Sequence, residues 1–376
     1  MSKRLRDDPT ALPWSDGVLI GDKMVCAIGL GTLPCGVVYP EPLKVPNTVD
    51  FEGILTAATE AAGPLSLFLD TADTYCEDGD SLHSLERQIS VYLQTHSTAR
   101  IVVGTKGGMS RISSSSSGWR PVPCTTETVR SIVTDMVSAS AAALLNVDAS
   151  VDEVDSLRTL VDDDGAGAAA GPSTAPSLHP RLFLWQFHHL DGKDFPLADA
   201  LAALDEAPVS HIGLCNAPVS VIRAAILSAP GLSRRIVSVQ NEFSVWNQEA
   251  ERPFNPRAAA SNKSGTFAAC IEAGLVFIVS APCGGLKSRD AAHKSYRNLT
   301  RDFPECAIVA ARMGDSTSAH AVYLSYLLLR GARAGVKMII IPGARTAAHA
   351  GDSVSASRLI LNHVDVVVLD AAWIKK

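Results

Sequence analysis

No stretch of the 376 residues is apolar for long enough to cross a bilayer, and the opening Met-Ser-Lys-Arg-Leu-Arg-Asp-Asp lacks the apolar core of a secretory signal. The eight cysteines (Cys26, Cys35, Cys76, Cys124, Cys215, Cys270, Cys283, Cys306) include no Cys-x-x-Cys pair. They read as small buried thiols in a reducing compartment, so a cytoplasmic location is expected. Positive charge is in deficit: the formal net charge is −6, which argues against a nucleic-acid or membrane-surface partner. The glycines at 29, 31 and 36 do not make Gly-x-Gly-x-x-Gly, so there is no case for a Rossmann dinucleotide site. No His, Asp and Glu residues stand at metal-ligand spacing, so no metal is expected and a metal-dependent lyase is disfavoured.

What is present is ample core material: 47% of the residues are apolar and 19% charged, an ordinary globular balance. Short β-branched or apolar runs recur at Val25–Ile28, Leu65–Leu69, Ile101–Val103, Leu182–Phe187, His211–Gly213, Ile236–Val239, Val276–Val279 and Met338–Ile341. Helix-like stretches follow several of them, among them Leu82–Leu93, Val129–Leu145, Leu197–Leu204 and Val219–Leu227. Continuous apolar strands alternating with amphipathic helices predict βαβ units around a parallel sheet. Eight such units favour a closed (β/α)8 barrel, with residues 1–376 as one domain. Val18–Val25 predicts a hairpin before the first barrel strand, placed to plug the N-terminal end. Residues 1–15 read as a flexible tail. Residues 148–180 are acidic and then Gly/Ala/Pro/Ser-rich, and read as a flexible insertion before the fourth strand. Ser113–Ser117 is a second candidate for a flexible stretch.

In such a barrel, reactive groups stand at the C-terminal ends of strands. Strand two ends in Asp70-Thr71-Ala72-Asp73-Thr74-Tyr75, strand three in Thr105-Lys106-Gly107-Gly108, and strand four in Gln186-Phe187-His188-His189. A carboxylate, a phenol, an ammonium and an imidazole therefore share one mouth. Carbonyl reduction needs a hydride at carbon and a proton at oxygen. A free Tyr, with a pKa near ~10, is a poor acid or base at neutral pH. A neighbouring ammonium is expected to lower that pKa, a carboxylate to hold the ammonium charged, and an imidazole N–H to orient the carbonyl oxygen. A lone Lys or His at a strand end is normally a solvated or structural residue, whereas four complementary groups at successive strand ends point to chemistry.

The same segments resemble those of the aldo-keto reductases, over about Gly29 to Ser353. Gly29-Leu30-Gly31-Thr32 is similar to the family's opening motif, Leu69 to Tyr75 to its Asp/Tyr signature, Gly104 to Gly108 to its Lys signature, and Trp185 to His188 to its His signature. His211 to Asn216, Val239 to Ser244 and Ile341 to Thr346 resemble later family elements. The resemblance implies a reductase using NADP (NADPH) on a small carbonyl compound, as a monomer or simple homo-oligomer. It implies Tyr75 as proton donor, Lys106 as its tuner, Asp70 as the partner of Lys106, and His188 as the substrate orienter. It implies cofactor contacts from Gly31, Thr32, Asp70, Asn216, Gln240, Ser280, Pro282, Gly284, Gly343, Arg345, His349 and Asp352. Of these, Asn216 and Gln240 would hold the nicotinamide carboxamide, and Arg345 would meet the 2′-phosphate.

Three departures touch the cofactor side. Cys215 stands where the family usually has Ser, Ser280 where an aromatic commonly stacks on the nicotinamide, and Asp352-Ser353 where Glu-Asn commonly reads the adenine. They keep a second reading open, a catalytically weak nucleotide-sensing or regulatory subunit on the same barrel.

Overall fold

Buried on both faces, the apolar runs form the strands they predict. The computed structural model describes residues 14, 16–36, 49–75, 82–111, 119–122, 125, 128–145, 181–190, 196–252, 265–284, 289–290, 295–296 and 298–374. The 148–180 insertion, Ser113–Ser117 and nearly all of the 1–15 tail lie outside them. Eight strands make one sheet: β1 (Leu30–Gly31), β2 (Leu67–Asp70), β3 (Ile101–Gly107), β4 (Leu182–Phe187), β5 (His211–Cys215), β6 (Ile236–Glu242), β7 (Val276–Ser280) and β8 (Lys337–Ile340). Their order in the sheet is their order in the chain. Parallel bridges from Ile28 to Ile340 and from Gly31 to Gly343 bring the first strand's segment to the last. At least one helix follows each strand before the next, so the architecture is the expected (β/α)8 barrel. The predicted hairpin is also present, Val18–Ile20 against Lys23–Val25, with Val18, Ile20 and Val25 fully buried.

One boundary is corrected. The run Val25–Ile28 was expected to be the first barrel strand; it does lie there, bridging in parallel from Val25 to Ser66 and from Ile28 to Ile340, but the regular strand is Leu30–Gly31 and Val25 also closes the hairpin. The reason lies at Gly29, where a Cβ would stand 2.3 Å from the Phe68 carbonyl oxygen. Close approach of two backbones demands glycine there, so Gly29 and Gly31 mark contact between neighbouring segments rather than a turn after a strand.

The chain divides into two compact units. The first comprises Met1–Gly31, Thr48–Leu69 and Ser238–Lys376, the second Thr32–Asn47 and Asp70–Val237. In the first, β6 pairs with β7 and β7 with β8, with Gln240 level with Ile278 and Ile278 with Ile339. Beside them Phe243, Phe267 and Phe277 meet edge to face at 4.9 and 4.8 Å, and Trp373 of the helix His363–Trp373 packs on Tyr326 at 5.7 Å. Such rings contribute large buried area plus directional contacts of about 0.5–1.5 kcal/mol a pair. Tyr323 finds polar partners within this core: its hydroxyl donates to the Pro282 carbonyl at 2.8 Å and accepts from the Val245 N–H at 2.9 Å.

In the second unit, β3 pairs with β4 and β4 with β5, so that Lys106 stands level with Gln186 and Gln186 with Gly213. The Arg235 guanidinium donates to the carbonyls of Leu204, Asp205, Ala207 and Val209. These include carbonyls at the C-terminal end of the helix Leu197–Glu206, where the last turn runs short of intrahelical donors; the Leu204 carbonyl also accepts from the Ala207 N–H.

Candidate active site

Asp70 is the last residue of β2, Lys106 the penultimate residue of β3, and His188 follows β4 directly. Consecutive parallel strands thus deliver three polar groups at their C-terminal ends, and Tyr75 joins them from the segment after β2. Each is drawn to a defined partner. The Lys106 ammonium, almost fully buried, donates to Asp70 Oδ2 at 2.5 Å, to the Thr71 carbonyl at 2.8 Å and to the Tyr75 hydroxyl oxygen at 3.3 Å. An ammonium has three protons, and these three acceptors account for them. The other carboxylate oxygen, Asp70 Oδ1, accepts from Gln186 Nε2 at 3.0 Å. The His188 ring meets Tyr75 edge-on, 6.0 Å between centroids and 74° between planes. The structure therefore brings together all four groups expected from the sequence.

Burial changes one expectation. Lys106 does favour the Tyr75 phenolate, but desolvation outweighs it and the Asp70 charge adds to the opposition, so the phenol is pushed up to about 12. Lys106 itself is raised above the ordinary lysine value. Burial works against its charge, but Asp70 first, then Tyr75 and Cys215, outweigh that. The resting pair is a neutral phenol beside a firmly charged ammonium, an arrangement suited to donating a proton.

The remaining candidates divide between the units. In the second unit, Thr32 is fully buried and its hydroxyl donates to the Asp70 carbonyl at 3.1 Å. Asn216 takes a left-handed backbone, φ +54°, which Asn tolerates better than most residues. Its amide donates to the His188 carbonyl at 3.1 Å and toward Cys215 Sγ at 3.4 Å, which explains in part why a thiol is accommodated where a hydroxyl was expected.

In the first unit, Gly31 N–H donates to the Pro342 carbonyl at 2.9 Å, and a Cβ on Gly31 would stand 3.0 Å from the Ile341 oxygen. Gln240 is buried, and Ser280 at the end of β7 is half-buried. Gly284 is left-handed at φ +93° and donates to the Ala281 carbonyl, closing the turn that contains Pro282. Gly343 is exposed and Arg345 half-buried, just before the helix Ala347–Ser355. Thr346 caps that helix by accepting from the His349 N–H. Asp352 and Ser353 already have partners: Ser318 donates to Asp352 Oδ2 at 2.6 Å, and Ser353 Oγ pairs with His320 Nε2 at 3.0 Å. His320 Nδ1 in turn lies 3.5 Å from Cys283 Sγ.

Sequence reasoning gave no role to Gln186 or Glu86. Gln186 was findable, since it stands two residues before His188 and alternate strand residues share a face. Glu86 was not, because a glutamate on an amphipathic helix reads as solvent-facing, yet here it is fully buried. Among the described residues no group of three or more His, Cys, Asp or Glu could hold a metal ion, and no helix is long and apolar enough to cross a membrane.

Residues 181–374 match the family model described as "Aldo/keto reductase family". No curated protein matches the chain. Among solved structures, an aldo/keto reductase from Klebsiella pneumoniae, crystallised with NADP and acetate, is similar at 15% identity over 95% of each chain, with a TM-score of 0.59. A thermostable aldo-keto reductase in complex with the inhibitor epalrestat is similar at 16% identity, covering 94% of this chain and 98% of its own, with a TM-score of 0.57. A putative 2,5-diketo-D-gluconic acid reductase B is similar at 14% identity, covering 95% of this chain and 90% of its own, with a TM-score of 0.53. At these identities the likeness shows the fold.

Proposed function

The chain belongs to the aldo/keto reductase family, and on that premise we propose that it reduces a small aldehyde or ketone to the alcohol with NADPH. The observation that carries this reading is the buried chain of contacts from Gln186 through Asp70 and Lys106 to the Tyr75 hydroxyl.

The fit to the cofactor is best at its phosphate end. The N-terminus of the helix Ala347–Ser355 presents its positive dipole, and Arg345 adds a guanidinium just before it. Gly343 and Arg345 are the residues that would hold the 2′-phosphate. NADPH, when bound, supplies the hydride that adds to the carbonyl carbon. Tyr75 gives its hydroxyl proton to the carbonyl oxygen as that hydride arrives. Lys106 stabilises the phenolate left behind, and Asp70 keeps Lys106 charged and aimed. His188 directs an N–H at the same oxygen.

Consumption of NADPH with a broad aldehyde and ketone panel tests the reading. Turnover with at least one carbonyl class supports it. NADPH binding without turnover favours the second reading, a nucleotide-sensing subunit, to which Asp352 and Ser353 lend weight because their side chains are engaged by Ser318 and His320.

A further inference from the structure

Behind the Lys106–Tyr75 pair lies a hydrogen-bonded circuit that the chemistry above does not use. Neighbouring strand residues point to opposite faces. Where Lys106 turns toward Asp70, Thr105 turns to the helix Ser84–Thr95 and donates its hydroxyl to Glu86 Oε1 at 2.5 Å. Glu86 Oε2 pairs with His83 Nδ1. The His83 backbone N–H donates to the Asp73 carbonyl at 2.7 Å, and the Asp73 backbone N–H donates to the Lys106 carbonyl at 3.0 Å. From Lys106 back to Lys106, the circuit ties β3 to the segment that carries Tyr75 two residues after Asp73. His83 sits at φ +67°, unusual for a residue other than glycine, at the start of the helix. Such a conformation persists where the surroundings hold it.

Resting on the assignment of Tyr75 and Lys106 above, we propose that Glu86 is a positioning residue that fixes the phenol against the ammonium through His83 and Thr105. The electrostatics agree with the geometry. A carboxylate with no exposed surface needs a charged or hydrogen-bonding partner, and Glu86 has two. The groups that act on it are His83 at the cap of its own helix, Asp73 from the segment after β2, and Thr105 from β3. Burial opposes charge on His83, but the hydrogen bond and charge of Glu86, then Asp73, hold its imidazole above the usual value. Asp73, also buried, is pushed up to about 7 by desolvation first and by Glu86 second.

The test combines Glu86→Gln and Thr105→Val, singly and together, with wild-type turnover as the reference. Each single variant is expected to lower kcat by about tenfold, with KM for NADPH within about twofold, since no cofactor contact is touched. The double variant is expected to be little worse than the poorer single, because both cut one circuit. Histidine titration by NMR supplies a readout independent of activity: His83 should titrate above the ordinary range in the wild type and fall in Glu86→Gln. Full wild-type kcat in folded single variants overturns the positioning role while the reductase reading stands. A Glu86→Gln variant that loses only thermal stability, with kcat and its pH profile unmoved, overturns it too. No wild-type turnover, with His83 still titrating high, overturns the reductase reading and with it the positioning role.

Discussion

At the scale of single residues, the site is governed by a contest between solvent loss and a neighbouring charge. Tyr75 and Lys106 lie 3.3 Å apart, yet burial keeps the phenol protonated to about pH 12. If Tyr75 is the proton donor, reduction needs the phenol, so its rate should stay level across neutral and mildly alkaline pH and fall only as pH climbs toward 12. Alcohol oxidation needs the phenolate and should rise with pH over the same range. A pH profile of kcat in both directions checks the sign. Tyr75→Phe should leave NADPH binding nearly unchanged and cut turnover by roughly 10²-fold or more, the usual scale for a lost general acid; single-turnover kinetics separate the two. Asp73 yields a stability prediction. Its folded value of about 7 lies above the ordinary 3.8, so the fold prefers the protonated acid. That contribution is complete below the unfolded value and is lost as pH rises toward and through 7. Asp73→Asn should therefore raise the melting temperature at pH 8, by the equivalent of roughly 1–3 kcal/mol, and change it little at pH 4. Thermal scans at the two pH values decide it.

At the scale of elements, what could be read in advance followed from how completely each run is buried. Leu182–Phe187 is apolar nearly throughout, and the strand has those bounds. Val129–Leu145 was equally plain as a helix. Strand β3 continues through Thr105 and Lys106 to Gly107, past the point where a hydrophobic run stops, because its polar residues find buried partners instead of water. Glu86 stayed hidden for the same reason: partner geometry, which decides whether a charge can be buried, is not written in local pattern. The four groups proposed for catalysis were legible because each stands in a short motif at or just after a strand end, while the Asp352–Ser318 and Ser353–His320 pairs depend on elements some thirty residues apart. The helix Ala347–Ser355 carries its own prediction. If Arg345 reads the 2′-phosphate, Arg345→Ala should weaken NADPH by at least ~1.5–3 kcal/mol and NADH far less, and the difference should shrink with salt. Titration of both cofactors against wild type and variant measures it.

At the scale of the whole molecule, the long insertion offers a clean test of what the barrel requires. Exchanging residues 148–180 for a short Gly/Ser linker should leave melting temperature and turnover intact, since loop length is thermodynamically cheap to change; a collapse of either would show a packed element there. The molecule's working lifetime raises a different question. Aldehydes condense with free amines to give imines, so on the proposed function a site that admits aldehydes beside a lysine risks inactivating itself. Lys106 escapes because its nitrogen has no available lone pair: it is protonated, its value is raised further by Asp70, and its three protons are committed to Asp70, Thr71 and Tyr75. Incubation with an aldehyde and a mild borohydride should accordingly label exposed lysines and leave Lys106 unmodified in the peptide map. In Asp70→Asn the nitrogen loses its counter-charge, and Lys106 should be labelled along with the exposed lysines.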